Sequence, residues 1–228
     1  AYGRDLRPEI GLTEVIGELE KIKPLSRIRL SSIEARDVSD ALIKKIAGSK
    51  KLCRHLHIPI QSGDDKILKD MHRRYTRKDY LALFARLRRK IPSIAITTDV
   101  LVGFPGETEE NFKNTLDLIK RVMPLKVHIF PYSKRNGTTA AQDTDKEVST
   151  SIIKDRLCAL KKLSETCADS YKKKFAHKKM LVLFEEEMKD RPGWWQGYTD
   201  NYILVQVKSN RNLRNKLISV TLGAGTVP

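Results

Sequence analysis

The sequence predicts an α/β fold: a run of parallel βα units, then a small antiparallel β-barrel. Three observations carry that expectation. Strand-like stretches begin near residues 27, 55, 94 and 126, each followed by a helical pattern, and a period of roughly 30 residues marks repeated βα units and a parallel sheet or partial barrel. One long, highly charged helical stretch then covers 146–175. Beyond it come short alternating strands over 180–184, 194–199, 203–207 and 217–222, separated by turns rich in Asp, Asn, Pro and Gly. That pattern suits a barrel of the oligonucleotide-binding kind. The expected units are residues 1–145, a connecting helix over 146–175, and the barrel over 176–228.

Each element has its own signal. Residues 1–8 carry no methionine and no helix or strand pattern, and Tyr2-Gly3-Arg4-Asp5 reads as a loop, so the chain is expected to be a piece of a longer protein. Residues 12–22 place Leu12, Val15, Ile16 and Leu19 on one helical face. Residues 27–33 alternate as a strand and end in Ser31-Ser32-Ile33-Glu34; 38–47 are helical. A strand over 56–60 runs into Gln61-Ser62-Gly63, and Asp64 with Asp65 caps a helix reaching about His72. Thr76 caps the next helix, whose buried side is Tyr80, Leu83, Phe84 and Leu87. Residues 94–102 are apolar and β-branched enough for a buried parallel strand. Gly103, Pro105 and Gly106 break it, and Thr108 with Glu109 and Glu110 starts a helix carrying Phe112, Leu116 and Ile119. A strand over 126–131 leads into Tyr132-Ser133, and the long helix has an apolar stripe of Ile152, Ile153, Leu157, Leu160 and Leu163.

In parallel βα folds the C-terminal strand ends hold the ligand. Here those ends are polar: Ser31, Ser32 and Glu34; Gln61 and Ser62; Asp99 and Gly103; Tyr132 and Ser133. Any one of them caps a helix as readily as it binds a ligand. Four polar ends together form a constellation. The loop over 103–106 lets a flat or anionic group approach the backbone beside free helix N–H groups, although plain turn chemistry uses the same residues.

Composition narrows the partners. The 228 residues include 44 Lys and Arg against 28 Asp and Glu, a net charge of +16, which favours a polyanion, nucleic acid ahead of a membrane. No apolar run is long enough to span a bilayer and no signal peptide pattern is present, so a cytoplasmic protein is expected. Cys53, Cys158 and Cys167 include no C-x-x-C pair and read as reduced thiols. Residues 42–90 hold 15 Lys and Arg against four Asp and Glu, and residues 151–228 hold 15 against eight. The second cluster comes with aromatics, the combination that single-stranded RNA binding needs. Trp194, Tyr198, Tyr202, Arg211 and Arg214 are the candidate RNA-binding residues. One of Trp194 and Trp195 belongs in the barrel core, because adjacent strand residues face opposite sides.

Four stretches together resemble a known family: Arg29-Leu30-Ser31-Ser32-Ile33-Glu34, residues 55–63 (His-Leu-His-Ile-Pro-Ile-Gln-Ser-Gly), residues 97–110, and Phe130-Pro131-Tyr132-Ser133. They are similar to the radical S-adenosylmethionine (SAM) methylthiotransferases, and the final β-unit is similar to their RNA-binding TRAM domain. The resemblance runs over nearly the whole chain. Residues 128–133 and 197–202 look most like the branch acting on N6-threonylcarbamoyladenosine beside the anticodon of tRNA, at C2 of the base. The branches acting on isopentenyladenosine in tRNA and on a ribosomal-protein aspartate are the alternatives, as is a non-catalytic RNA-binding module for this chain alone.

The resemblance implies a partial radical SAM barrel, S-adenosylmethionine as cofactor, two 4Fe-4S clusters, tRNA as partner and a separate electron donor. It implies reductive cleavage of the cofactor to a 5′-deoxyadenosyl radical, with the protein positioning reactive atoms and excluding water. Cofactor contacts are expected from Ser32, Glu34, Gln61, Ser62, Arg74, Asp99, Gly103, Phe130 and Tyr132, with Arg74 suited to the cofactor carboxylate. The radical cluster needs three thiolates at C-x-x-x-C-x-x-C, and no such motif occurs here. The cluster ligands and the family's first two barrel strands are therefore expected upstream of Tyr2, with no catalytic residue in this chain. Ala35, Lys134 and Asn136 stand where the family tends to have proline.

Overall fold

A computed structural model describes residues 3, 5–7, 10–135, 137–142 and 144–223. Tyr2 and Arg4 of the opening loop, Asn136, and the chain past Gly223 lie outside the described residues. The expected α/β architecture is borne out. α1 (Leu12–Lys21) and α2 (Asp40–Gly48) precede β1 (His55–His57), and α3 (Asp65–Asp70) and α4 (Arg77–Lys90) lead to β2 (Ala95–Val102). α5 (Glu109–Val122), β3 (Lys126–Pro131), α6 (Thr139–Gln142) and the long α7 (Thr150–Lys173) follow. β4 (Lys179–Glu187), β5 (Trp194–Thr199), β6 (Leu204–Lys208) and β7 (Lys216–Thr221) end the described chain.

The first sheet has the order β1-β2-β3, all parallel. Its helix-facing side is dry. Ile96, Thr98, Val100 and Val102 of β2 are buried under helices whose apolar faces include Tyr80, Phe84, Leu87, Phe112 and Ile119. The caps fall where side-chain chemistry puts them. Thr76 and Thr108 each close a capping box, with Asp79 and Asn111, and the Asp64 side chain accepts from the Lys66 and Ile67 N–H groups.

Two expected strands are shorter than their patterns. Residues 27–33 are extended but bridge their neighbour only at Ile28↔Leu52 and Ser32↔His57. Four steps along one segment face five along the other, so a bulge interrupts the ladder. The strand expected over 56–60 ends at His57, because four steps from His57 to Gln61 face three from Thr97 to Val100 and a bulge breaks the ladder. There the Thr98 hydroxyl donates to the Ile58 carbonyl (2.7 Å) and accepts from the Ile60 N–H (3.0 Å), and pairing resumes at Gln61↔Val100.

α7 does more than connect. Arg156, Leu160, Ser164, Cys167 and Tyr171 are buried along it, and the Ser164 hydroxyl accepts the Val127 N–H at 3.1 Å, serving the exposed edge of β3. The second sheet is antiparallel, in the order β6-β5-β4-β7, with a core of Val182, Phe184, Trp195, Ile203 and Val205. Among the described residues β6 and β7 are its two edges. This sheet sits at the foot of the parallel one, at the N-terminal ends of its strands. The Arg27 guanidinium donates to the Tyr198 and Leu181 carbonyls (2.7 and 3.1 Å), and Arg54 pairs with Asp200 at 3.0 Å.

Candidate cofactor cleft and inner-face pocket

Alternation along the parallel strands sends every second side chain to the face opposite the helices. Register then aligns them across the sheet. Asp99 lies opposite His128 and Leu101 opposite Phe130, while Ser32 bridges His57. This inner face carries two cavities.

The larger, about 1420 Å³, opens at the C-terminal strand ends. Gln61, Leu101, Phe104, Phe130, Tyr132 and Arg73 are among its lining residues. Gln61 holds a left-handed backbone (φ 68°), fixed because its N–H donates to the Asp99 carbonyl (2.8 Å) and its carbonyl accepts from Leu101 (2.9 Å). Phe104 and Tyr132 meet edge to face at 5.6 Å, and Phe130, 51% exposed, offers an open ring face to the cleft. The Tyr132 hydroxyl is buried and, among the described residues, has no hydrogen-bond partner. Flat apolar faces beside an orphaned hydroxyl and a carboxamide fit the adenosyl part of S-adenosylmethionine.

Other predicted residues divide. Glu34 is held by Arg73 (3.3 Å) and by the Tyr75 hydroxyl, whose pKa burial and the Glu34 carboxylate push up to about 12. Arg74 is exposed and lies outside the cleft lining, whereas its neighbour Arg73 is part of that lining. Ser62 is fully buried, meeting Thr115 Oγ1 at 3.3 Å and accepting the Asp64 N–H, so it ties the loop to α5 and does not reach the cleft. Gly103 does need its left-handed φ of 81°, but the space beside it is filled: a Cβ there would stand 2.6 Å from the Ile153 side chain on α7. Its N–H donates to Glu107 Oε2 at 2.7 Å. The buried Glu107 carboxylate also pairs with buried Arg156 at 2.9 Å. That ion pair, which no spacing in the sequence announces, clamps the glycine loop to α7.

The second cavity, about 390 Å³, lies deeper on the same face. His57 Nε2 is 3.2 Å from Asp99 Oδ2, and His57 Nδ1 is 3.0 Å from Thr97 Oγ1, which also meets His55 Nε2 at 3.0 Å. The ligand atoms of His57, Asp99 and His128 lie within 4.8 Å of one another, so these three are the described side chains that could hold a metal ion. Desolvation, then Lys126, lowers the His128 pKa and favours its neutral ring. Ser32 and Asp99 line this cavity and not the cofactor cleft. His57 and His128 went unmarked in the sequence, although their period-two placement in two strands was a signal.

The candidate RNA residues are also split. Trp195 is buried (7% exposed), leaving Trp194 as the partly exposed member of the pair, with Arg191 over its ring at 4.0 Å. Arg211 and Arg214 are exposed. Tyr202 is stacked between His55 (4.2 Å) and Tyr198 (4.7 Å), so both tyrosine rings face the foot of the parallel sheet.

Residues 5–119 match the Radical SAM superfamily. The chain belongs to that superfamily. Its expected likeness to the methylthiotransferases within it is also borne out. The radical SAM chain is 37% identical over 222 residues to a protein of Clostridium tetani named tRNA-2-methylthio-N(6)-dimethylallyladenosine synthase. It is equally 37% identical over 224 residues to a Bacillus subtilis protein named threonylcarbamoyladenosine tRNA methylthiotransferase MtaB. Each alignment covers 97% of this chain and 49% of the relative, so the chain spans about half the length of these relatives. The Escherichia coli coproporphyrinogen III oxidase HemN, described as a radical SAM enzyme, shares the fold at a TM-score of 0.56 and 12% identity, covering 82% of this chain and 51% of that one.

The thiols here do not fit an iron–sulfur cluster. Cys53 and Cys167 are buried and Cys158 is exposed on α7, and among the described residues no three cysteines come together. No described helix is long and apolar enough to cross a membrane.

Proposed function

We propose that this chain is the cofactor-binding part of a methylthiotransferase that modifies C2 of N6-threonylcarbamoyladenosine in tRNA, in the cytoplasm. One observation carries the reading: in a chain of the radical SAM superfamily, the strand ends build a cleft of phenyl and phenol faces around an orphaned hydroxyl. Phe130 and the Phe104–Tyr132 pair would flank the adenine, and the Gln61 carboxamide would meet the ribose. Arg73, steadied by Glu34, supplies positive charge at the mouth. S-adenosylmethionine held there would supply the radical chemistry, given 4Fe-4S clusters whose ligands this chain does not provide and an electron donor. This chain's residues orient that cofactor and exclude water.

The proposed units remain 1–145 for the barrel part, 146–175 for the helix and 176–228 for a TRAM-like RNA-binding unit. Trp194 with Arg191, and the exposed Arg211 and Arg214, offer a stacking face and cations to single-stranded RNA. The likeness of residues 128–133 and 197–202 to the threonylcarbamoyladenosine branch favours that substrate over the dimethylallyl one.

Nucleoside mass spectrometry of tRNA tests the assignment. A strain lacking the gene should lose the 2-methylthio derivative of threonylcarbamoyladenosine and accumulate the unmodified precursor. Loss of the dimethylallyl derivative instead would move the protein to the other branch, and unchanged tRNA would refute the function.

A further inference from the structure

Arg29 is the unresolved cation of the inner face. Its Nη1 is buried and, among the described residues, has no hydrogen-bond partner. Its guanidinium lies 4.5 Å from the Tyr202 ring centroid and 5.8 Å from that of Tyr198. Those rings hold it from behind but accept none of its five N–H donors along the guanidinium plane. Arg29 as a whole is half-buried, but N–H donors cut off from water and left without an acceptor are costly unless an incoming group supplies one. The nearby acids are otherwise engaged: Asp200 pairs with Arg54, and Asp99 with His57.

Arg29 lines the 390 Å³ cavity together with Ser31, Ser32, His57, Asp99 and His128. Four of those five neighbours can donate a hydrogen bond, and Asp99 can accept one. The Asp99 carboxylate would repel a doubly charged phosphate, whereas a single carboxylate beside a hydroxyl or amide matches the whole set. Phe130 lines both this cavity and the cofactor cleft. A base resting near Phe130 could therefore send its N6 appendage down toward Arg29.

We infer that this pocket receives the carboxylate of an amino-acid appendage on the substrate nucleoside, with Arg29 as the residue that selects it. The inference rests on the nucleoside-modifying function proposed above and deepens it. An apolar five-carbon appendage would leave the Arg29 Nη1 donors without an acceptor, while His57 and Asp99 keep only each other and Thr97. A site built to hydrogen-bond an appendage rejects one that cannot.

The test is titration of this chain, followed by NMR, with N6-threonylcarbamoyladenosine, with its neutral carboxamide analogue and with N6-dimethylallyladenosine. The acid should bind saturably and at least ~10-fold more tightly than either neutral nucleoside, the value of one hydrogen-bonded charge. Arg29→Gln should remove that preference. Arg29→Lys keeps the charge without the fork and should retain part of it, which separates recognition from simple loss of fold. S-adenosylmethionine is titrated in parallel because its own carboxylate is the other source of the same chemistry. If Arg29→Gln weakens S-adenosylmethionine and leaves the nucleoside unaffected, the pocket serves the cofactor and the inference fails. Equal binding of acid and neutral nucleosides also overturns it. In either case the proposed function stands or falls separately, on the tRNA analysis.

Discussion

His55 shows how one residue ties the two sheets together. Its ring is buried at the foot of β1, bonded to Thr97 and stacked on Tyr202. Burial, then Arg29 and His57, pull its pKa from 6.5 down to about 3. The unfolded chain takes up a proton near pH 6.5 that the folded protein refuses until about pH 3. His55 therefore contributes stability above pH 6.5 that is lost as the pH falls toward 3, at about 1.4 kcal/mol per pH unit. Urea unfolding at about pH 7 and about pH 5 checks this. The native chain should lose about 2 kcal/mol more over that interval than His55→Phe, which keeps the stacking surface but not the titration. Parallel losses in the two proteins would contradict the assignment. Single residues were the least legible scale in the sequence. Gln61, Phe130 and Tyr132 could be picked out because they sit at strand ends. Arg29 could not, because its meaning depends on Tyr198 and Tyr202 far along the chain, and His128 shows its meaning only once strand register sets it opposite Asp99.

At the scale of elements, the contact between the Gln61–Gly63 loop and α5 decides how closely helix and sheet approach. The Gly63 N–H donates to Thr115 Oγ1 at 2.9 Å. A Cβ at Gly63 would stand 2.5 Å from Thr115 Cα and 2.8 Å from the Asn114 carbonyl oxygen, both backbone atoms. Gly63→Ala should cost about 1–3 kcal/mol, seen as a lower urea midpoint with an unchanged slope. Gly48→Ala is the control, because nothing lies within 4 Å of its Cβ position, and it should be neutral or stabilising by about 0.5–1 kcal/mol. A neutral Gly63→Ala would mean that α5 packs less tightly than described. Helices were the most legible elements, since Thr76, Thr108 and the apolar stripes announce themselves through local chemistry. β3 and β5 were legible to the residue. The strands at 27–33 and 56–60 are shorter than expected because alternation says nothing about a bulge, and because at the second the Thr98 side chain takes over the ladder bonds of Ile58 and Ile60.

At the scale of the molecule, the antiparallel sheet closes the foot of the parallel one, and the candidate cofactor cleft opens at the opposite end. Tyr171 from α7 donates to the Ser93 carbonyl (2.6 Å) and accepts from Asn201 (2.9 Å), so helix, parallel sheet and antiparallel sheet share one buried junction. Removing the second sheet would expose that junction, so point changes at Arg211 and Arg214 test the proposed RNA binding more cleanly than truncation does. The order of elements and the change of period after residue 146 were legible; the docking of one sheet beneath the other was not, since it uses backbone carbonyls and stacked rings that leave no pattern. The central claim is that the strand ends hold the adenosyl group of S-adenosylmethionine. The direct measurement is calorimetric titration of the chain with S-adenosylmethionine and 5′-deoxyadenosine, native against Phe130→Ala. Phe130 is half exposed, so its truncation spares the fold. Saturable binding of both ligands, weakened about tenfold by Phe130→Ala, is the predicted result. Affinity that is unchanged by Phe130→Ala, or no saturable binding of either ligand, would contradict it.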